Sequence, residues 1–207
     1  MVKIADLKEG QEMIFSHGPI TRTEIYKYGK GSKDTNGIHM DDAFAVQMNL
    51  KGVIAHGMLS FGTTIADIVS WLGETGELLA IDCQMRGMVR PGDLVKSIFK
   101  IEKIEGKNVK FTWEQYARCP INITKDGEKV VSFEAEERGW ISEKDEKKGL
   151  IKEEELSEPL KWVKTEWTEP FPSKKYEESV EEYSGGGTLK LRERLSLQGS
   201  MEISLKE

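Results

Sequence analysis

Residues 58–72 read MLSFGTTIADIVSWL and are the strongest helix candidate of the chain. Apolar side chains cover most of the circumference of such a helix, which is typical of a helix that is buried on nearly all sides. Gly73 follows and predicts the end of the helix. The dipeptide His56-Gly57 stands directly before it. It is therefore predicted to lie at the helix N-terminus, where unpaired N–H groups and the helix dipole favour negative charge.

The segments on either side of this helix complete an α+β pattern. Thr21 and Glu24 have the spacing of a capping box and predict a short helix that the glycines at 29 and 31 stop. A second short helix is predicted at 42–48. Downstream, β-branched and aromatic residues between turn signals predict antiparallel strands at 80–88, 93–104, 109–118 and 130–140. The fold class is therefore α+β, with an antiparallel sheet wrapped around one long central helix.

The composition of the chain changes near residue 143. Residues 143–207 contain 12 Lys and Arg and 16 Asp and Glu, whereas the first 142 residues carry only 38 charged residues. We therefore predict a globular domain at 1–142 and a charged C-terminal extension at 143–207. Alternating apolar residues at 189–205, with a turn at 198–200, predict a terminal hairpin. Such a hairpin must be ordered against the domain or a neighbouring subunit, unless the extension is a disordered tail.

Composition also excludes several classes of function. The net charge of −6 and the pI near 5.4 argue against nucleic-acid binding, which needs a basic surface. No apolar run approaches the 18 residues of a membrane span, and the N-terminus has no signal-peptide core. Cys83 and Cys119 lack metal-type spacing, so we expect two reduced thiols, no metal and a cytoplasmic protein.

Two short elements carry the candidate chemistry. Asp34 and His39 lie five residues apart on a predicted loop, where a carboxylate and an imidazole can form an acid–base pair. Gly57 can offer a backbone N–H to an oxyanion, because glycine lets the backbone approach a ligand closely. Asn36 is expected to brace the loop, and His56 is expected to brace the turn rather than react. The other histidine, His17, is expected to be an exposed turn residue.

Residues 32–39 read SKDTNGIH and resemble the motif of the MaoC-like dehydratase family, also called the hydratase 2 or R-specific enoyl-CoA hydratase family. Lys33 stands where the family has glycine, and Gly37 stands where it has proline. Lys33 could point inward and lower the basicity of Asp34, or point outward. Gly37 could widen the site or weaken its preorganisation. The resemblance covers residues 5–140 and continues through DDAFA at 41–45, VIAHGML at 53–59 and VRPGD at 89–93.

The resemblance implies a hot-dog fold and reversible hydration of 2-enoyl thioesters to R-3-hydroxyacyl thioesters. In the role of the family's catalytic pair, Asp34 would activate water for attack at C3, and His39 would carry a proton to C2. Gly57 would bind the thioester oxygen, with His56 and Asn36 as supporting residues. The expected partners are an acyl-CoA or acyl carrier protein thioester and a second copy of the chain, in a homodimer or higher homo-oligomer. No cofactor, membrane or nucleic acid is expected.

Two other functions remain compatible with the sequence. One is a non-catalytic acyl-CoA-binding or scaffold subunit of a hetero-oligomeric hydratase, to which the extension could dock. The other is a thioesterase on the same fold, which would release free coenzyme A without a hydrated product.

Overall fold

The computed structural model of the chain describes residues 2–206. Its helices are α1 (Arg22–Ser32), α2 (Gly37–Met40), α3 (Asp42–Gln47), α4 (Gly57–Leu72), α5 (Glu134–Glu137) and α6 (Glu143–Lys147). Its strands are β1 (Glu12–His17), β2 (Gly76–Ile81), β3 (Gln84–Met85), β4 (Leu94–Glu105), β5 (Asn108–Lys125), β6 (Glu128–Ser132), β7 (Ile151–Glu155), β8 (Leu160–Trp167), β9 (Tyr176–Tyr183) and β10 (Thr188–Leu205). No helix within 2–206 is both long and apolar enough to cross a membrane.

One antiparallel sheet organises the molecule. Its main strands follow the order β1-β4-β5-β10-β2, while β3 and β7 pair with β10 and β6 pairs with β5. Helix α4 packs against this sheet, where Ile68 and Leu72 join a core that contains Phe99, Phe111 and Trp113. Aromatic side chains of this size bury large apolar areas, so they anchor the helix on the sheet. The predicted α+β fold, with an antiparallel sheet and one long helix, is confirmed.

The burial of α4 differs from the prediction of an all-round buried helix. Met58 and Val69 are about half exposed, at 53% and 47%. The buried residues of the helix include Ser60 and Thr64. Gln115 of β5 meets them, because its Nε2 donates to Ser60 O at 2.7 Å and to Thr64 Oγ1 at 2.8 Å. The carbonyl of Ser60 and the hydroxyl of Thr64 can be buried here because both accept a hydrogen bond from the sheet, and part of the apolar surface of α4 is left uncovered.

His17 is also placed differently from the prediction. It is the last residue of β1, and its Nε2 contacts Oδ1 of Asp67 on α4. Burial raises the pKa of Asp67. His17 therefore ties β1 to the central helix, and the expectation of an exposed turn residue is wrong.

Several helices and strands begin or end at residues other than those predicted from the sequence. Helix α1 runs through both glycines to Ser32, so the predicted stop at Gly29 is wrong. The strand predicted at 130–140 ends at Ser132, because the glutamate-rich segment Glu134–Glu137 forms α5 instead. The strand predicted at 80–88 is broken into β2 and β3, and the strand predicted at 109–118 extends to Lys125.

The charged segment after residue 143 supplies the strand β10, which lies between β5 and β2. The shift in composition therefore does not coincide with the edge of the sheet. The hairpin predicted within 189–205 is wrong, because β10 is one 18-residue strand without a turn. Gly199, expected in that turn, lies in the strand instead, where a Cβ would collide with the backbone of Asp82. The glycine serves a close approach rather than a change of direction.

Residues 126–187, here called the inserted segment, lie between β5 and β10. They contain β8 and β9, which form a separate two-stranded sheet. This hairpin docks on α1 through Glu178, whose carboxylate accepts the N–H groups of Arg22 at 2.8 Å and Thr23 at 3.1 Å. A carboxylate is favoured there because the first N–H groups of a helix have no partner within the helix.

Candidate active site

The candidate catalytic residues lie in residues 32–57, here called the site segment. A chain of short-range hydrogen bonds shapes its first loop. The N–H of Asp34 donates to Ser32 Oγ at 3.3 Å, and the N–H of Asn36 donates to Asp34 Oδ1 at 3.4 Å. Asn36 then caps α2 by accepting the N–H of Ile38 on its side-chain oxygen at 3.2 Å. Asn36 thus lies where a brace of the loop would act. Asp34 is exposed in the single chain.

His39 lies in α2, and a single hydrogen bond determines the tautomer of its neutral ring. Its Nδ1 lies 2.8 Å from the backbone oxygen of Ile54. Because a carbonyl oxygen only accepts, Nδ1 must carry the proton, and Nε2 of the neutral ring is left with a free lone pair. Burial lowers the pKa of His39 below its ordinary value of 6.5. The imidazole is therefore poised as a proton acceptor at neutral pH.

His56 is buried and supports both neighbours. Its Nε2 lies 2.9 Å from the backbone oxygen of Asp34, and its ring stacks on that of His39 with centroids 3.9 Å apart. Each of Asp34, His39 and His56 offers a polar side-chain atom within 4.8 Å of those of the other two. The two rings are inclined by only 27° with centroids 3.9 Å apart, so their lone pairs lie in nearly parallel planes and do not meet at one ion within ligand distance. The geometry therefore fits an acid–base pair with a supporting ring better than a metal centre.

Gly57 is the first residue of α4, and His56 is its N-cap residue. The His56 side chain makes no capping hydrogen bond, so it leaves the first N–H groups of the helix available to a ligand. The side chain of Met85 packs over Gly57, where a Cβ would come within 2.5 Å of its sulfur atom. His56-Gly57 thus lies at the start of the helix, as the sequence predicted. Because His56 stacks on His39, this helix start lies beside the candidate catalytic histidine.

Gly29 is a further residue of the site that the sequence did not indicate, because a glycine at this position was interpreted as the end of the helix. It lies in α1 against the site segment. A Cβ there would lie 2.5 Å from Met40 Sδ, 3.0 Å from the backbone oxygen of Asp34 and 3.1 Å from His56 Cε1. Only glycine lets α1 approach this closely. Gly29 therefore sets the position of the loop that carries Asp34.

The two departures from the family motif have local explanations. Lys33 ends α1 in the left-handed region, with φ 64°, and is exposed, as expected for the outward alternative. That conformation favours glycine, the family residue at this place. At Gly37, a Cβ would lie 2.6 Å from the ring of Phe44, so the glycine leaves room for that ring.

Arg22 connects the site segment to the inserted segment and was also missed, because nothing local in the sequence indicates a buried arginine. It is 3% exposed. It binds Asp42 of α3 at 3.2 Å and Glu134 of α5 at 2.8 Å. Asp42 Oδ1 in turn accepts the N–H of Val53 at 2.9 Å, next to the Ile54 carbonyl that holds His39. A buried ion pair thus supports the backbone that orients the candidate proton carrier.

Comparison with known proteins places the chain in a family. A model of the MaoC like domain matches residues 7–117, more than half of the chain. Over 131 residues the chain is 28% identical to an (R)-specific enoyl-CoA hydratase of Rhodospirillum rubrum, covering 63% of this chain and 90% of that protein. An 85-residue part is 35% identical to fatty acid synthase subunit beta of Saccharomyces cerevisiae, which is 40% of this chain but only 4% of that protein.

A solved structure supports the fold. R-hydratase PhaJ1 from Pseudomonas aeruginosa, in the unliganded form, aligns with a TM-score of 0.57 and 17% identity, covering 98% of this chain and 84% of that chain. At this identity the similarity supports the hot-dog fold and not the identity of the site residues.

Proposed function

Because the chain belongs to the MaoC-like family, we propose that it reversibly hydrates 2-enoyl thioesters of coenzyme A or acyl carrier protein. One observation carries the proposal: the carboxylate of Asp34 and the imidazole of His39 have polar atoms within 4.8 Å of each other, close to the N-terminus of α4. An acid–base pair beside free backbone N–H groups is what addition of water next to a thioester requires.

The proton balance follows from the tautomer of His39. Asp34 takes a proton from water while the hydroxide oxygen bonds to C3, and the C2–C3 π electrons move toward the thioester carbonyl. The proton then passes to Nε2 of His39, which is unprotonated in the neutral ring because Nδ1 donates to Ile54 O. His39 delivers this proton to C2. Asp34 and His39 end as they began, so dehydration runs through the same atoms in reverse.

The charge that develops during this step falls on the thioester oxygen. The N–H of Gly57 is the proposed donor to it, at the positive end of the 16-residue helix α4. Such donors lower a barrier by about 3–4 kcal/mol in other enzymes. His56 and Asn36 hold the surrounding backbone, through the hydrogen bonds to Asp34 O and from the Ile38 N–H.

The finer features of this function are also proposals. The R configuration of the product is proposed from similarity to the Rhodospirillum rubrum hydratase. The reaction as written needs no cofactor besides the coenzyme A thioester itself. We propose a homodimer, because α4 and β2 leave Met58, Val69 and Leu79 about half exposed. We also propose a cytoplasmic location, which suits the free thiols Cys83 and Cys119.

The test is the loss of the ultraviolet absorbance of the enoyl thioester, starting with crotonyl-CoA. Asp34→Asn removes the base while keeping the shape of the side chain, so turnover should fall by about 10²–10⁴-fold. Asp126→Asn is the matched control, because Asp126 lies in the turn between β5 and β6 with φ 53°, a conformation that asparagine tolerates. It should keep full activity.

Other outcomes distinguish the competing functions. Unchanged hydration by the Asp34→Asn variant would refute the proposed mechanism. Release of free coenzyme A without a hydrated product would indicate a thioesterase. Binding of acyl-CoA without hydration, with activity only after a partner is added, would indicate a non-catalytic subunit.

A further inference from the structure

A cavity of about 140 Å³ opens beside His39, and both the site segment and the inserted segment line it. His39 and Met40 border it from α2, and Tyr26 from α1. Lys174 and Tyr176 close it from the hairpin side. An acyl chain that places C2 at His39 would therefore extend its far end toward groups that the family model, which ends at residue 117, does not include.

The wall from the inserted segment is held in place by several aromatic contacts. The ring of Trp167 packs edge-on against Phe171, with centroids 4.8 Å apart. The guanidinium of Arg138 lies 4.0 Å from the centre of the Phe171 ring, and that of Arg22 lies 5.5 Å from the centre of the Tyr176 ring. The loop between β8 and β9 is therefore fixed on both sides of Lys174, which favours specificity over nonspecific attraction.

The polar groups at this cavity differ in their freedom to bind a ligand. Arg22 is committed to Asp42 and Glu134, and all three side chains are nearly or fully buried. Lys174 is different, because its side chain is 73% exposed and its only ion pair in residues 2–206 is with Asp41, at 2.8 Å. Exposed ion pairs of this kind contribute little and exchange readily.

The helix-capping role of Asp41 does not depend on this ion pair. Its Oδ1 caps α3 by accepting the N–H groups of Ala43 at 2.9 Å and Phe44 at 3.3 Å, whereas its other oxygen faces Lys174. The Lys174 ammonium can therefore turn to a substrate carboxylate while Asp41 keeps its structural role. An alkyl chain would instead remove water from the lysine and the tyrosine hydroxyls without replacing their hydrogen bonds, which is unfavourable.

We infer that this cavity is a subsite for a short acyl end that carries a carboxylate, and that Lys174 determines this specificity. The substrate class is a 2-enoyl thioester with a second, terminal carboxylate. The inference rests on the proposed hydratase function. The small volume of the cavity fits it, because pockets for larger ligands occupy about 300–1,000 Å³.

The experiment compares a neutral with a carboxylated substrate of similar length. Hydration is measured as kcat/KM for crotonyl-CoA and for fumaryl-CoA, and affinity is measured by calorimetry for the saturated analogues butyryl-CoA and succinyl-CoA. The native protein should prefer the carboxylated member of each pair by about tenfold or more. Lys174→Gln should reduce that preference about tenfold, mainly through KM, and added salt should also reduce it.

Lys175→Gln is the matched control. Lys175 is the adjacent residue, is 68% exposed and pairs with Glu169 rather than Asp41. It should change neither the activity nor the preference. An equal loss of the preference for carboxylated substrates in both lysine variants would overturn the inference, and so would a native preference for the neutral substrates. In either case, hydration of crotonyl-CoA would still support the proposed function. Hydration of neither thioester would refute the proposed function, and calorimetry would then decide on the subsite alone.

Discussion

The hydrogen bonds that hold the site segment and those that hold the inserted segment span very different separations along the chain. In the site segment, the side chains of Ser32, Asp34 and Asn36 bond N–H groups two residues away, and the bonds of His39 and His56 span 15 and 22 residues. In the inserted segment, the decisive bonds reach across the chain, from Glu134 to Arg22 and from Glu178 to the start of α1. Short-range bonds leave a pattern in the sequence, whereas long-range bonds become visible only in the fold.

The largest effect is expected at Arg22, where the two segments meet. Arg22→Met would leave the buried carboxylate of Asp42 without its cation and leave Glu134 paired only with Arg138, at 3.5 Å, which costs about 3–5 kcal/mol of unfolding free energy. Urea denaturation measures this loss. Arg86→Met is the control, because Arg86 is exposed, and should change stability by less than about 0.5 kcal/mol. A loss below about 1 kcal/mol at Arg22 would mean that the inserted segment does not depend on this ion pair.

A smaller effect is expected at the two glycines of α1. Gly29→Ala pushes a Cβ against the backbone oxygen of Asp34, which should displace the candidate base and lower kcat by about 10–100-fold. Gly31→Ala meets no atom within 4 Å, and should keep activity and stabilise the helix by up to about 1 kcal/mol. Enoyl-thioester hydration and thermal unfolding measure both variants. Equal activity in the two would remove Gly29 from the positioning of the site.

The smallest effect is expected from pH. Hydration as proposed starts from neutral His39, whose pKa burial lowers below 6.5. The value of kcat/KM should therefore be level near pH 7 and fall as the pH drops through that lowered pKa, by at most about tenfold per pH unit. A pH–rate profile in the hydration direction measures it. Activity that rises on acidification in the same range would require a protonated His39 at the start and would reverse the assigned order of proton transfer.

Much of the fold could be predicted from the sequence, for physical reasons. The apolar pattern of α4 and the β-branched and aromatic runs of β4 and β5 have strong periods, so they predicted a sheet around a helix. The hairpin expected near the C-terminus was wrong, because the same alternation suits one long strand, and glycine marks both turns and close contacts. The sequence alone could not decide between them at Gly199.

The candidate site was predictable to a similar, limited depth. Asp34, His39 and Gly57 were found because residue type and spacing suffice to suggest the chemistry, and their catalytic roles stay a prediction. Gly29 and Arg22 were not found, because a glycine within a helix and an arginine among charges are ambiguous until the packing around them is known. The glycine was interpreted by its propensity alone, whereas its position is set by contact with His56 and Asp34.

The place of β10 has a consequence for how the molecule is made. β2 precedes α5 and α6 in the chain but takes β10 as its neighbour, so it waits for residues that are synthesised more than a hundred positions later. Pairings of such long separation slow folding and leave an unpaired strand exposed to other chains in the meantime. During translation, β5 and β2 should therefore lack the strand that lies between them until residues 188–205 have left the ribosome.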